Sequence, residues 1–320
     1  MLESPVSPSS IESPPSPGAH VMDEKYFFPD GNCVFLVEGT LFKLHRDLLA
    51  RDPESFFRSL FGDATGSLTE AIPLSQVNAA DFRILCWSVY LFPAETYNLR
   101  YEKIGNPEIA RYLALLDTAN KFTMPQFESW AWQMLSAPAG KHKPLQAYLD
   151  SATEAILDLT MGRAFRSQKT ALLERVKSTW IRRITNRELT FRAALDAGSK
   201  YSDRDFQADI YVTLWTRVRS DSLLGLSPTS GLSTLQLSEE ESYKFATGFT
   251  ILSNVFHLLS DAELTLPRSP RCNIVHWGGT CGCPTAWTTS THGGEHRCIG
   301  DYLKKVNFSA DIADYFMIPM

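Results

Sequence analysis

The apolar positions change their period once within residues 30–61, DGNCVFLVEGTLFKLHRDLLARDPESFFRSLF. From Cys33 to Val37 and from Thr40 to Leu44 they favour strand positions, and Glu38-Gly39 between the runs is a tight-turn signal, so the pattern predicts a β-hairpin. From Arg46 onward Leu48, Leu49, Phe56, Leu60 and Phe61 recur at helical three- and four-residue steps. The switch falls at His45. The pattern therefore predicts a hairpin running into a short helix pair, with Asp52 as a helix cap and Pro53 at the first helical position.

Farther along, Ala71 to Leu74 reads as a short strand and Asn78 to Tyr90 as a helix with Phe82, Leu85, Cys86 and Val89 on its buried face. Asn106-Pro107-Glu108 is a helix start, followed by Ile109, Leu113, Leu116 and Phe122 at helical spacing; Met124-Pro125 begins the next helix, with Trp130 and Leu135 inward. The second half alternates helical stripes with short breaks: Leu149, Ala152, Ile156 and Leu159; then Leu172, Leu173, Val176, Trp180 and Ile184. A third helix is expected around Leu189 to Leu195 and a fourth around Phe206 to Val218. After a Ser/Gly/Leu-rich linker from Ser220 to Gln236, Ser238 and Glu241 form a capping box for a last helix bearing Phe245, Phe249, Leu252, Phe256 and Leu259.

The residues from Tyr26 to Leu135 resemble a BTB/POZ domain, and in wording the expanded fungal BTB family. In that family a hairpin ends in a Phe-x-x-His step, here Phe42-Lys43-Leu44-His45. A Leu-bearing helix follows, here Arg46-Asp47-Leu48-Leu49-Ala50, and then a Ser-Pro-x-Phe-like helix start, here Asp52-Pro53-Glu54-Ser55-Phe56-Phe57. Residues 91–105, LFPAETYNLRYEKIG, depart from it, since many relatives have a Tyr-Thr-Gly turn and a short strand there. The resemblance implies an α+β N-terminal BTB/POZ domain, a small mixed sheet covered by helices, followed by an all-α C-terminal region. The expected organisation is a disordered Ser/Pro-rich tail over 1–21, the BTB/POZ domain over 22–136 and helices over 145–262. An irregular Cys/His-rich segment over 263–301 and a C-terminal segment over 302–320, read as docking back on the helices, complete it.

Composition narrows the classes. A net charge of -5 argues against a general nucleic-acid binder, and no apolar run is long enough to span a bilayer. The first residues lack the layout of a secretory signal, so a cytoplasmic or nuclear setting with reduced cysteines is expected. The tail holds Ser4-Pro5, Ser7-Pro8, Ser13-Pro14 and Ser16-Pro17, which read as a solvated tail or as proline-directed phosphorylation sites. Residues 163–192 carry nine basic side chains against two acids, which read as a solvated helix face rather than an anion-binding surface.

Cys272, His276, Cys281, Cys283, His292, His296 and Cys298 lie close together without an apolar period and are candidate ligands of a structural zinc. Cys281-x-Cys283 is tighter than the usual spacing, and a tail of reduced thiols or a redox-active one fits the same residues. There is no phosphate-binding glycine loop, nucleophile elbow or His-Glu-x-x-His pair, and the chain is not expected to be an enzyme. The family resemblance implies self-association, as a homodimer or BTB hetero-oligomer, through Tyr26, Phe27 and Phe28 and through Leu48 or Leu49, with recruitment of other proteins. Within that reading the alternatives are a substrate adaptor of a cullin-type ubiquitin ligase and a zinc-binding transcription regulator. No nucleic-acid or membrane partner is expected.

Overall fold

The computed structural model describes residues 20–63, 70–75, 77–99, 104–136, 144–223, 237–260, 316 and 318. It is mixed α+β, with a small four-stranded sheet and mostly helices, and it divides into two compact units, Met1–Pro144 and Leu145–Met320.

Unit 1 contains β1 (Val21–Phe27), β2 (Cys33–Val37), β3 (Thr40–Leu44), α1 (Arg46–Leu49), α2 (Phe56–Asp63) and β4 (Ile72–Pro73). These are followed by α3 (Ala79–Val89), α4 (Pro93–Leu99), α5 (Asn106–Lys121) and α6 (Pro125–Ser136). The sheet order is β1-β3-β2-β4: β2 and β3 form the antiparallel hairpin, while β1 joins β3 and β4 joins β2 in parallel. Glu38 and Gly39 both take positive φ, the geometry of a tight hairpin turn. Glu38 tolerates it while its carboxylate accepts the Ala79 N–H at 3.0 Å, tying the turn to the start of α3. Cys33, Phe35 and Val37 alternate inward, as period two requires. Over them Phe42 meets Phe82 edge to face at 4.9 Å, Phe35 meets Phe57 at 5.5 Å, and Phe57 meets Phe122 at 4.9 Å.

Two details of unit 1 differ from the sequence reading, and in unit 2 Leu159, expected on a buried stripe, is 48% exposed while Leu157 and Met161 are buried. Helix α2 begins at Phe56, not Pro53, because Ser55 is its cap: the Ser55 hydroxyl accepts the Phe57 N–H and donates to the Leu49 carbonyl. Phe57 rather than Phe56 therefore enters the core, and Phe56 stays 41% exposed. Asp52, buried, instead accepts the Gln126 N–H in the first turn of α6. Residues 93–99, within the stretch that departs from the family pattern, form helix α4.

Unit 2 contains α7 (Pro144–Ser151), α8 (Glu154–Arg166), α9 (Thr170–Thr185), α10 (Phe191–Lys200), α11 (Arg204–Leu223) and α12 (Glu239–Ser260). Helix α11 buries Phe206, Ala208, Ile210, Tyr211, Val212, Leu214 and Trp215, so it is apolar on nearly every side and forms the middle of the unit. Three junctions repeat one closure. Gln168, Arg187 and Ser202 sit in left-handed backbone just past α8, α9 and α10. The following N–H groups, of Lys169, Glu188 and Asp203, reach back to the carbonyls of Ala164, Arg183 and Gly198. Thr123 makes the same closure between α5 and α6 in unit 1.

The basic run over 163–192 is only in part the solvated face that its composition suggested: Arg166, Arg175, Arg182 and Arg187 are exposed. Arg163, Lys177 and Arg183 are buried. Arg183 donates to the carbonyls of Leu149 and Ala152 at the end of α7, where the Leu149 carbonyl also accepts the Ala152 N–H at 3.3 Å. Lys177 pairs with Asp203 at 3.0 Å and with Glu174 at 3.1 Å. Arg192 grips Glu241 with both terminal nitrogens. Long cations satisfy helix ends here, which helical spacing alone does not show.

Candidate interaction surface

The edge strand β1 is placed by one buried carboxylate. Asp23 accepts the N–H groups of Lys25 and Tyr26 and pairs with Arg83 on α3. This local loop shifts the register of β1 against β3 between Met22 and Phe27. The shift turns Tyr26 inward, 6.1 Å from the Tyr90 ring, while Phe28 stacks on Tyr90 at 4.8 Å and lies 5.3 Å from His45.

His45, where the hydrophobic period switches, closes this cluster. The Tyr90 hydroxyl accepts its backbone N–H at 3.0 Å and shares a hydrogen bond with its Nδ1 at 2.9 Å, while Nε2 lies 3.3 Å from the Asp30 carboxylate. Burial pushes the Tyr90 and Tyr26 hydroxyls up to about 12, so both stay protonated near neutrality. Asp30 is held below the ordinary carboxylate value by a hydrogen bond from its own backbone N–H and then by His45. The arrangement braces the end of the hairpin against the end of α3.

Of the expected interface residues, Tyr26 and Leu49 are buried within the unit, whereas Phe27, Phe28 and Leu48 are half-buried. Between Leu48 and Leu49, only Leu48 keeps surface. The sequence reading missed Val21 and Met22, which are 68% and 59% exposed at the start of the edge strand. They adjoin the Ser/Pro-rich tail, where no periodicity marks them.

A second feature of unit 1 is a cleft of about 240 Å³ lined by Arg51, Asp52, Leu91, Thr96, Phe127 and Trp130, among others. Phe92 and Tyr97, the chain neighbours of Leu91 and Thr96, are exposed. The candidate zinc ligands Cys272, His276, Cys281, Cys283, His292, His296 and Cys298, the Ser-Pro pairs and most of the 220–236 linker lie outside the described residues. Among the described residues no group of three or more His, Cys, Asp or Glu is arranged to hold a metal, and no helix is long and apolar enough to cross a membrane. Comparison of the chain with models of known protein families, with curated proteins and with solved structures finds no match.

Proposed function

We propose that the chain is a non-enzymatic protein-interaction protein whose first unit is a BTB/POZ-type domain that self-associates along β1. The observation that carries this reading is the edge position of β1 together with the exposure of Val21 and Met22 upon it. An edge strand presents unpaired backbone groups, and exposed apolar side chains beside them favour a second protein surface over water. The order of elements supports the family: a hairpin, two short helices, a strand parallel to the hairpin's first strand, and a closing helix pair α5–α6. Light scattering at micromolar concentration should return twice the chain mass, and Val21→Asp combined with Met22→Asp should return one. A monomeric unaltered chain would sink the reading.

The cleft beside Phe92 and Tyr97 favours a second role, recruitment of a further protein, with a cullin-type ligase subunit as the family-based candidate. Co-purification with a cullin, lost in Phe92→Ala with Tyr97→Ala, tests it. The zinc-binding regulator reading rests on Cys272 to Cys298 alone, and metal content after metal-free dialysis decides it.

A further inference from the structure

Gly248 lies in ordinary helical backbone in the middle of α12, where glycine is less stable than alanine and no turn requires it. Space does require it. A Cβ at this position would stand 2.1 Å from Cδ1 and 2.2 Å from Cε1 of Phe316. Phe316 is wholly buried, and its ring stacks on Tyr211 of α11 with centroids 5.1 Å apart and planes 15° from parallel. Two residues on, Ile318 is also buried, and its carbonyl accepts a hydrogen bond from Arg204 Nε at 3.0 Å. A notch, an aromatic platform and a main-chain clamp thus converge on one short stretch of chain.

We propose that the surface formed by α11 and α12 is a docking site for the chain's own C-terminal end, reading an aromatic residue and an aliphatic one two positions later. The glycine supplies the depth for the ring, Tyr211 supplies its face, and Arg204 holds the Ile318 carbonyl. Docking in cis places residues fixed on unit 2 on both sides of the segment that bears Cys272 to Cys298, at the end of α12 and at Phe316.

Gly248→Ala in the full-length chain separates this role from helix stability, because alanine favours the helix while its methyl group occupies the place of the ring. Chymotrypsin cleavage after Phe316, followed by mass spectrometry, should speed up at least about tenfold in this variant with unchanged far-ultraviolet circular dichroism. A fluorescent peptide of residues 312–320 should bind full-length Phe316→Ala, whose notch lacks its ring, and should fail to bind Phe316→Ala with Gly248→Ala. Cleavage at the unaltered rate in Gly248→Ala, or equal peptide binding to both chains, would overturn the proposal. So would a halved mass of Phe316→Ala in light scattering, because the bound end would then belong to a second copy.

Discussion

The two units bury different chemistry. Unit 1 fills the space between its sheet and helices with rings, Phe35, Phe42, Phe57, Phe82 and Phe122, and its deeply placed carboxylates are few, chiefly Asp23 and Asp52. Unit 2 has no strand among its described residues, and it buries Arg163, Lys177 and Arg183 beside its apolar residues. The reason is geometric. A sheet satisfies its backbone laterally and offers a broad face that rings cover well. A helix leaves carbonyls and N–H groups open at its ends, so an all-helical unit uses long or charged side chains to reach them. Asp203 shows how much one residue can carry: its N–H closes α10, its carboxylate caps α11 through Phe206, and it pairs with Lys177 on α9.

If that contrast holds, unit 1 should respond most to loss of a ring and unit 2 to loss of a charge. Phe82→Ala should cost about 3–5 kcal/mol, measured as a lower urea midpoint for the transition of unit 1. Asp203→Ala should cost about 3 kcal/mol in unit 2, because Lys177 is left buried without its main partner; replacing the pair with Lys177→Met and Asp203→Asn should cost less. Equal costs for the single and double changes would remove the charge pair from the account. Asp23→Asn should cost about 1.5–3 kcal/mol, read as faster hydrogen exchange across β1 while the β2–β3 hairpin stays protected.

Acid should also weaken unit 2. Burial works against ionised Glu241, but hydrogen bonds from Arg192 and Ser238 outweigh it and hold its carboxyl below the ordinary 4.5. A lowered folded-state value means that this stability is present above about pH 4.5 and is lost as the pH falls through the folded value. Glu241→Gln should flatten the acid limb of unit 2, monitored by thermal midpoint from pH 6 to pH 3, and an unchanged slope would contradict the role given to the Arg192 grip. The smallest expected effect has the opposite sign. Gln168→Gly should stabilise unit 2 by about 0.5–1 kcal/mol, relief of left-handed backbone exceeding the added freedom of the unfolded chain.

Much of unit 1 was legible because its signals are local. Alternation from Cys33 to Leu44, the Glu38-Gly39 turn and the Asn78 cap of α3, which accepts the Asp81 N–H at 2.7 Å, each act within a few residues. Other features needed partners distant in sequence. Asp52 looked like a cap for the helix beside it; one carboxylate oxygen accepts the nearby Glu54 N–H, and the other caps α6, 74 residues away. The closures after α8, α9 and α10 were invisible because Gln168, Arg187 and Ser202 stand where glycine would have announced them. Of the candidate interface, Phe27, Phe28 and Leu48 keep surface, but Val21 and Met22 gained significance only when the sheet order put their strand at an edge.

By itself, then, the sequence determined periods, turns and most helix starts, since these depend on φ preferences and hydrogen bonds within one turn of chain. Tertiary structure decided which of two adjacent rings, Phe56 or Phe57, enters the core, and that three cations of residues 163–192, Arg163, Lys177 and Arg183, turn inward. It also decided that the glycine at position 248 makes room for Phe316. Each of these depends on where a second element stands, and no spacing along one element carries that distance.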